Sequence, residues 1–283
     1  MISRALVLAL VACASSTSLA GAQSYRTLVE SRQVAGEDAL RVQVEFAVGE
    51  FLLGPSRDNS LYRLAMVYDE DRFEPDVAYR PGSGRLDVEL SSVRDFDLDD
   101  HDKLNQRLDL QIAPEVPLSL EVTFGAAEAD IELGGLSLDR AEFKTGASST
   151  EVRFSEPNRV ACSRIEFQVG AAEFRAAGLG NARCALIELS GAVGEMTLDL
   201  TGSWDAAVET TVRVEMGLGE LRLRLPQELG VRMEVDRFLV GLDRSGFVKR
   251  GSAYVSHGYD TASARVDIQI EAALGNIEVD WVR

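Results

Sequence analysis

Histidine is nearly absent: His101 and His257 are the only two in 283 residues. Catalytic triads built on histidine and multi-histidine metal centres therefore have almost no material to draw on. Cysteine is scarce as well, with three in the chain, and no histidine stands at a ligand spacing from them, which disfavours a zinc site. No G-x-S-x-G elbow, P-loop or dinucleotide fingerprint occurs, so the common nucleophile and phosphate cradles are missing. Only seven prolines are present, which argues against low-complexity linkers and disorder. Basic residues are in deficit: 29 Lys and Arg against 46 Asp and Glu leave a net charge of −17, a poor match for nucleic acid or an anionic membrane surface. Trp204 and Trp281 are the only tryptophans and do not recur with any period, so they read as core or edge packing rather than a sugar-stacking platform. Beyond the N-terminal segment no apolar run reaches the roughly 18 residues of a membrane span.

What the chain does have is a repeat. From Val122 onward a segment returns about every 22 residues, clearest in VRVEMGLGELRLRL, Val212 to Leu225. An alternating apolar strand meets a small-residue corner, and a second alternating strand follows. The corners fall at Gly125, Gly146, Gly170, Ala192 and Gly217, in steps of 21, 24, 22 and 25. A last copy, IQIEAALGNIEVDW, comes after a longer interval, and an earlier relative, VQVEFAVGEFLLG, lies at Val42 to Gly54. Period-two alternation marks strands with one buried face. Glycine at a corner permits positive φ or close approach of the next backbone. A period of this length is the mark of stacked units that cannot bury their apolar faces alone.

The expected fold is therefore all-β: a repetitive, stacked-strand, β-solenoid-like domain over 113–283, preceded by a small β N-terminal domain or cap over 23–112. Leu221, Leu223 and Leu225 should face the core, with Arg222 and Arg224 toward solvent. Arg237 to Thr261 breaks the period and reads as a loop or hairpin covering the final rungs. Ser60 to Ile112 breaks it at the other end and reads as the opposite cap or a small β domain of its own. The Asn-bearing segments EPNR and LGNA read as rung corners where Asn tolerates left-handed backbone.

Residues 1–22 have the make-up of a secretory signal peptide: Arg4, an apolar stretch from Ala5 to Ala14, then Ala20-Gly21-Ala22 before Gln23. Loss of the one charge of Arg4 with this leader would take −17 to −18. Leu10-Val11-Ala12-Cys13 also resembles a lipobox, and the alternative is a lipoprotein anchored at Cys13. An exported protein sits where disulfides persist. Cys162 and Cys184 each precede their own corner by eight residues, so they should stack on adjacent rungs about 4.8 Å apart, within reach of a bridge. A disulfide and a pair of buried thiols are both open at this stage.

Asp95, Asp97, Asp99, Asp100 and Asp102 suggest a hard-cation loop, yet Asp100 replaces the turn Gly of an EF-hand and Gln106 its bidentate acid. A solvated acidic loop is the better reading, with His101 a surface residue beside it. His257 reads as a loop residue or a packing partner for Tyr254 and Tyr259. The sequence thus offers no catalytic, cofactor-binding or metal residue, and no cofactor.

The segments GAAEADIEL, GAVGEMTLDLTG and GLGELRLRLP, with VPLSLEVTFG before them and LGNIEV at the close, resemble the C-terminal domain of LiaF-like proteins, the cell-wall-active antibiotic response family. Related toast-rack and adhesin-type domains of bacterial envelope proteins carry the same style of repeat. The resemblance covers about Ala113 to Arg283, and Ala39 to Leu90 is similar to the domain that precedes some toast racks. It implies a β-solenoid-like stack, an envelope location and, for LiaF itself, restraint of a two-component stress sensor. The group of membrane helices found in LiaF is not seen in this sequence, which puts contact with a membrane kinase in doubt.

These readings converge on a non-enzymatic exported envelope protein, periplasmic, cell-surface or extracellular. It would be a binding or scaffold module linked to envelope stress or adhesion, with a protein or glycan of the envelope as partner, no nucleic acid, no transmembrane segment in the mature chain, and self-association as a further option. The alternative is a polysaccharide-active β-helix enzyme, a lyase or hydrolase, although rung faces that mix Glu215, Glu220, Arg222 and Arg224 suit a polyanion poorly. A polymer-forming scaffold resembling bactofilins is a third class, but those are cytoplasmic and lack a leader.

Overall fold

A computed structural model describes residues 24–93 and 105–283. The proposed leader with Cys13, and the Asp95 to Asp102 cluster with His101, lie outside the described residues. The described chain forms fifteen strands: β1 (Tyr25–Gln33), β2 (Leu40–Pro55), β3 (Ser60–Asp69), β4 (Phe73–Arg80), β5 (Arg85–Ser92), β6 (Arg107–Ile112), β7 (Leu118–Glu132), β8 (Leu138–Arg153), β9 (Cys162–Ala177), β10 (Cys184–Asp199), β11 (Thr210–Pro226), β12 (Gly230–Leu242), β13 (Phe247–Arg250), β14 (Ala253–Ser256) and β15 (Arg265–Val282).

Strands β2, β7, β8, β9, β10, β11, β15 and β12 lie side by side in that order, all parallel. Each is a rung that bends at its small-residue corner, so the sheet folds into two arms around one core. The inward parity changes across the bend: Ile165, Phe167 and Val169 are buried before it on β9, and Phe174 and Ala176 after it. Parallel pairing sets like residues over like. Val122, Phe143, Phe167, Leu189 and Val214 form one buried column, and the Phe143 and Phe167 rings stack 5.5 Å apart. Leu221, Leu223 and Leu225 are all fully buried, as the alternation requires.

The two ends of the stack differ, and each differs between the two arms. The first half of β2 pairs with β5, which pairs with β4, while its second half pairs with β6, followed by β3 and β1. Because β2 also pairs with β7 from Leu40 to Leu53, the sheet and its core run without a break through 112 and 113. At the far end, β14 and β13 form an antiparallel hairpin that joins β12 only at Arg232 and Met233.

Four details differ from the sequence expectations. The last copy of the repeat, β15, inserts between β11 and β12 rather than ending the stack. Arg237 to Leu242 is not a covering loop but the second half of rung β12; only β13 and β14 form the hairpin. Arg224 is half-buried, because its guanidinium bonds the carboxylate of buried Asp199. Asn158 and Asn181 lie between rungs, not at corners, and neither is left-handed: the positive φ belongs to Gly178 and Arg183. The buried Asn158 amide instead donates to Leu138 and Val160 carbonyls and accepts from the Leu138 N–H, each at 2.8 Å, filling in where strand pairing stops.

Two predictions follow from this packing. Leu223→Asp, which places a carboxylate in the closed core, should lower stability by about 4 kcal/mol or abolish folding. Arg222→Ser, on the exposed face, should change it by less than about 1 kcal/mol in the same urea titration. Acid is the second test. Hydrogen bonds from Ser60 and Ser56 hold Asp58 below its ordinary 3.8, the Ala207 N–H and then Arg183 hold Asp205 below it, and Arg250 does so for Asp260. Stability from lowered carboxylates is present above the unfolded value and lost as pH falls through the folded one. The urea midpoint should therefore drop as pH is taken below about 4.

Candidate functional site

Among the described residues no group of His, Cys, Asp and Glu is arranged to hold a metal ion. His257 is an exposed loop residue near Trp281 and Gly246 rather than part of a polar cluster. Trp204 and Trp281 pack against the core, and their indole N–H groups donate to the Leu200 and Ser245 carbonyls, both at 2.7 Å. Cys162 and Cys184 are direct register partners on β9 and β10, their Cα atoms 4.2 Å apart and their sulfurs joined. None of these makes a reactive centre. A surface that could meet a partner lies on the outer side of the bend.

The bend owes its shape to backbone contact between rungs. A Cβ on Gly146 would lie 2.4 Å from the Gly125 carbonyl oxygen, and one on Gly217 would lie 2.5 Å from that of Ala192. Two residues farther on, a second column requires glycine for another reason. Gly194, Gly219 and Gly275 have φ of 144°, 149° and 133°, and a Cβ there would come within 2 Å of the preceding rung's carbonyl oxygen. The sequence reading identified the first column and missed the second, whose signal was the G-x-G of MGLGE and the Gly of AVGE and ALGN.

Between these columns sits one outward residue per rung. The register runs Ala126, Ala147, Ala171, Val193, Leu218, Leu274 and Leu239. The last four are 47%, 47%, 41% and 62% exposed, and neighbouring Phe238 is 81% exposed. An apolar ridge thus crosses the rungs and grows from alanine to leucine toward the β12 end. Its trace in the sequence is an apolar residue after the corner in each copy, which stands out only once the register aligns the copies.

Beside the ridge runs an open groove of about 1120 Å³. Its floor is the small-residue column, and its rim is the in-register series Thr123, Lys144, Gln168, Ser190, Glu215, Glu271 and Asp236. The electrostatics change along it. Toward β7 the Lys144 ammonium lies 2.7 Å from Glu142 and 3.7 Å from Glu121, and its pKa is raised, first by the Glu142 hydrogen bond. Arg164 similarly bridges Glu166 and Glu188, and Arg213 bonds Glu188 from the next strand. These cations offset the repulsion of four glutamates stacked on adjacent strands. Toward β12, Glu215, Glu271 and Asp236 are also adjacent and exposed, and among the described residues no cation pairs with them. The surface therefore offers hydrogen-bonding groups at one end, negative charge at the other, and aliphatic side chains alongside.

Two family models match the chain. The N-terminal domain of toast_rack matches residues 20–175, and the C-terminal domain of the cell wall-active antibiotics response protein LiaF matches residues 179–279. No curated protein matches. Among solved structures, a proposed cell adhesion protein from Clostridium sporogenes is 15% identical, covering 92% of this chain and 100% of that one at a TM-score of 0.47. A proposed adhesin from Bacteroides fragilis is 12% identical, covering 91% and 98% at 0.41. A proposed lipid binding protein from Parabacteroides distasonis is 11% identical, covering 90% and 97% at 0.36. Likeness at these scores does not carry the roles of those proteins over to this chain.

Proposed function

The chain belongs to the toast-rack family, and from that premise we propose that it is a non-enzymatic, exported module of the bacterial envelope that binds an extended partner along its outer bend. The observation that carries this reading is the apolar ridge and its flanking groove, continuous over seven rungs. Six steps of about 4.8 Å make a track of roughly 29 Å, suited to a chain-like partner rather than a small molecule. Exposed aliphatic side chains in one contiguous strip favour a protein contact. The unpaired acids at Glu215, Glu271 and Asp236 favour a partner that brings cations to the β12 end. The LiaF-like match over 179–279 is consistent with an envelope setting.

Export and the bridge belong to the same reading. Mature protein from its native host should begin at Gln23; a lipidated Cys13 would make it membrane-tethered, and an intact Met1 would overturn export. In an oxidising compartment the Cys162–Cys184 bridge closes a loop of 22 residues, and its reduction should lower stability by about 3 kcal/mol. Urea titrations with and without reductant measure this, and identical midpoints would contradict it.

The binding surface is tested by placing a photo-crosslinking residue at Leu218 or Leu274 in the native host, with Arg222 on the outer face of the second arm as control. Discrete adducts from the two ridge positions and none from the control are expected. Equal labelling at all three, or none on the ridge, would contradict the assignment.

A further inference from the structure

Among the described residues the sheet has four edge strands, and three are protected against pairing. β1 carries Arg26, Glu30 and Arg32, β4 carries Glu74, Pro75, Asp76 and Arg80, and β13 carries Lys249 and Arg250. Charge and proline on an edge are common defences against unwanted strand addition. The fourth edge is the second half of β12. Beyond Met233 it pairs only with β15 among the described residues, and Phe238 to Leu242 holds no charge and no proline. Phe238 and Leu239 are the two most exposed residues of the apolar ridge.

We propose that this edge is a homotypic docking site, at which Phe238 to Leu242 of two copies pair antiparallel about Val240. The charges flanking the segment select this arrangement. The sequence reads Asp236-Arg237, five uncharged residues, then Asp243-Arg244. Antiparallel pairing centred on Val240 sets Arg237 opposite Asp243 and Asp236 opposite Arg244, and the twofold axis repeats both pairs. A slip of one residue in either direction places Asp236 against Asp243 or Arg237 against Arg244. Parallel in-register pairing opposes like charges throughout. Since directly opposed like charges destabilise a sheet and register slips are otherwise weakly resisted, the pattern disfavours parallel pairing and one-residue slips, and the twofold register centred on Val240, which forms both charge pairs at each end, closes the dimer.

The backbone is available for this contact. The Asp243 N–H points to β15, donating to Ile277, so alternate residues, Val240 among them, turn their backbone groups to the open side. The Val240 carbonyl accepts from the Arg237 guanidinium of its own chain. In the dimer that carbonyl accepts from the second copy's Val240 N–H, and Arg237 is released to Asp243. Phe238 then lies against Leu242 of the second copy. The contact shares Asp236, Phe238 and Leu239 with the β12 end of the proposed partner track, and it is read on the purified chain alone, so the two readings can fail separately.

Sedimentation equilibrium on the purified mature chain, over a series of concentrations, tests it. Asp236 and Arg244 are both exposed and neither has an ion-pair partner among the described residues, so substituting them leaves the fold intact. Reversible dimerisation is expected for the wild type. D236R or R244D alone should weaken it at least about tenfold, equivalent to 1.4 kcal/mol, and the D236R/R244D double variant should restore it. F238S should weaken it with an unchanged melting curve. A chain that stays monomeric at every concentration, a dimer indifferent to both single reversals, or a double variant no better than the singles would each overturn the proposal.

Discussion

The structure depends on how closely the backbone of each rung crosses the carbonyl of the rung before it at the bend. Two arms can share one core only if every strand turns at the same place, and the turn leaves almost no room for side chains. Gly146 and Gly217 meet this through absent Cβ atoms, while Gly194, Gly219 and Gly275 add a positive φ. The rungs divide the requirement: β7, β8 and β9 have glycine only in the first column, with Ala127, Ser148 and Ala172 in the second, whereas β10 and β15 have Ala192 and Ala273 in the first and glycine in the second. β12, the terminal rung on the second arm, has neither, and carries Phe238 and Val240 there.

Strict parallel register then sets the rest. It stacks phenylalanines in the core, but it also stacks Glu121, Glu142, Glu166 and Glu188 on the surface. The chain answers with Lys144, Arg164 and Arg213 between them. The same repetition turns one apolar position per rung into a ridge, so the binding surface results from the way the core is built. A stack of this kind also ends in strand edges, and the manner in which each edge is covered or left open determines what the molecule can join.

Much of this was legible in the sequence. The period, the alternation and the first glycine column identify stacked rungs, and Leu221, Leu223 and Leu225 fall where that pattern places them. Other features were not legible, for physical reasons. All rungs carry nearly the same apolar pattern, so sequence order could not reveal that β15 slips between β11 and β12. Arg237 to Leu242 lacks a corner glycine and so reads as loop or hairpin, although pairing with β15 is enough to hold it as strand. Arg224 was assigned to solvent because alternation reports which side a residue faces, not whether buried Asp199 waits there. The ridge was overlooked because an apolar residue beside a corner looks like a lapse in alternation until the register aligns all the copies.

The claim that the bend is a backbone-on-backbone contact is tested most directly by the stability of Gly194→Ala measured beside Gly36→Ala. Both positions have positive φ, 144° and 90°, but only at Gly194 does a Cβ meet a carbonyl, 1.9 Å away, while at Gly36 nothing lies within 4 Å. The account predicts that Gly194→Ala lowers the unfolding free energy by about 3 kcal/mol or more, combining backbone strain with the steric clash, and that Gly36→Ala has a clearly smaller effect. Equal, small losses at the two sites would show that the rungs do not depend on close passage at the bend and would contradict the account.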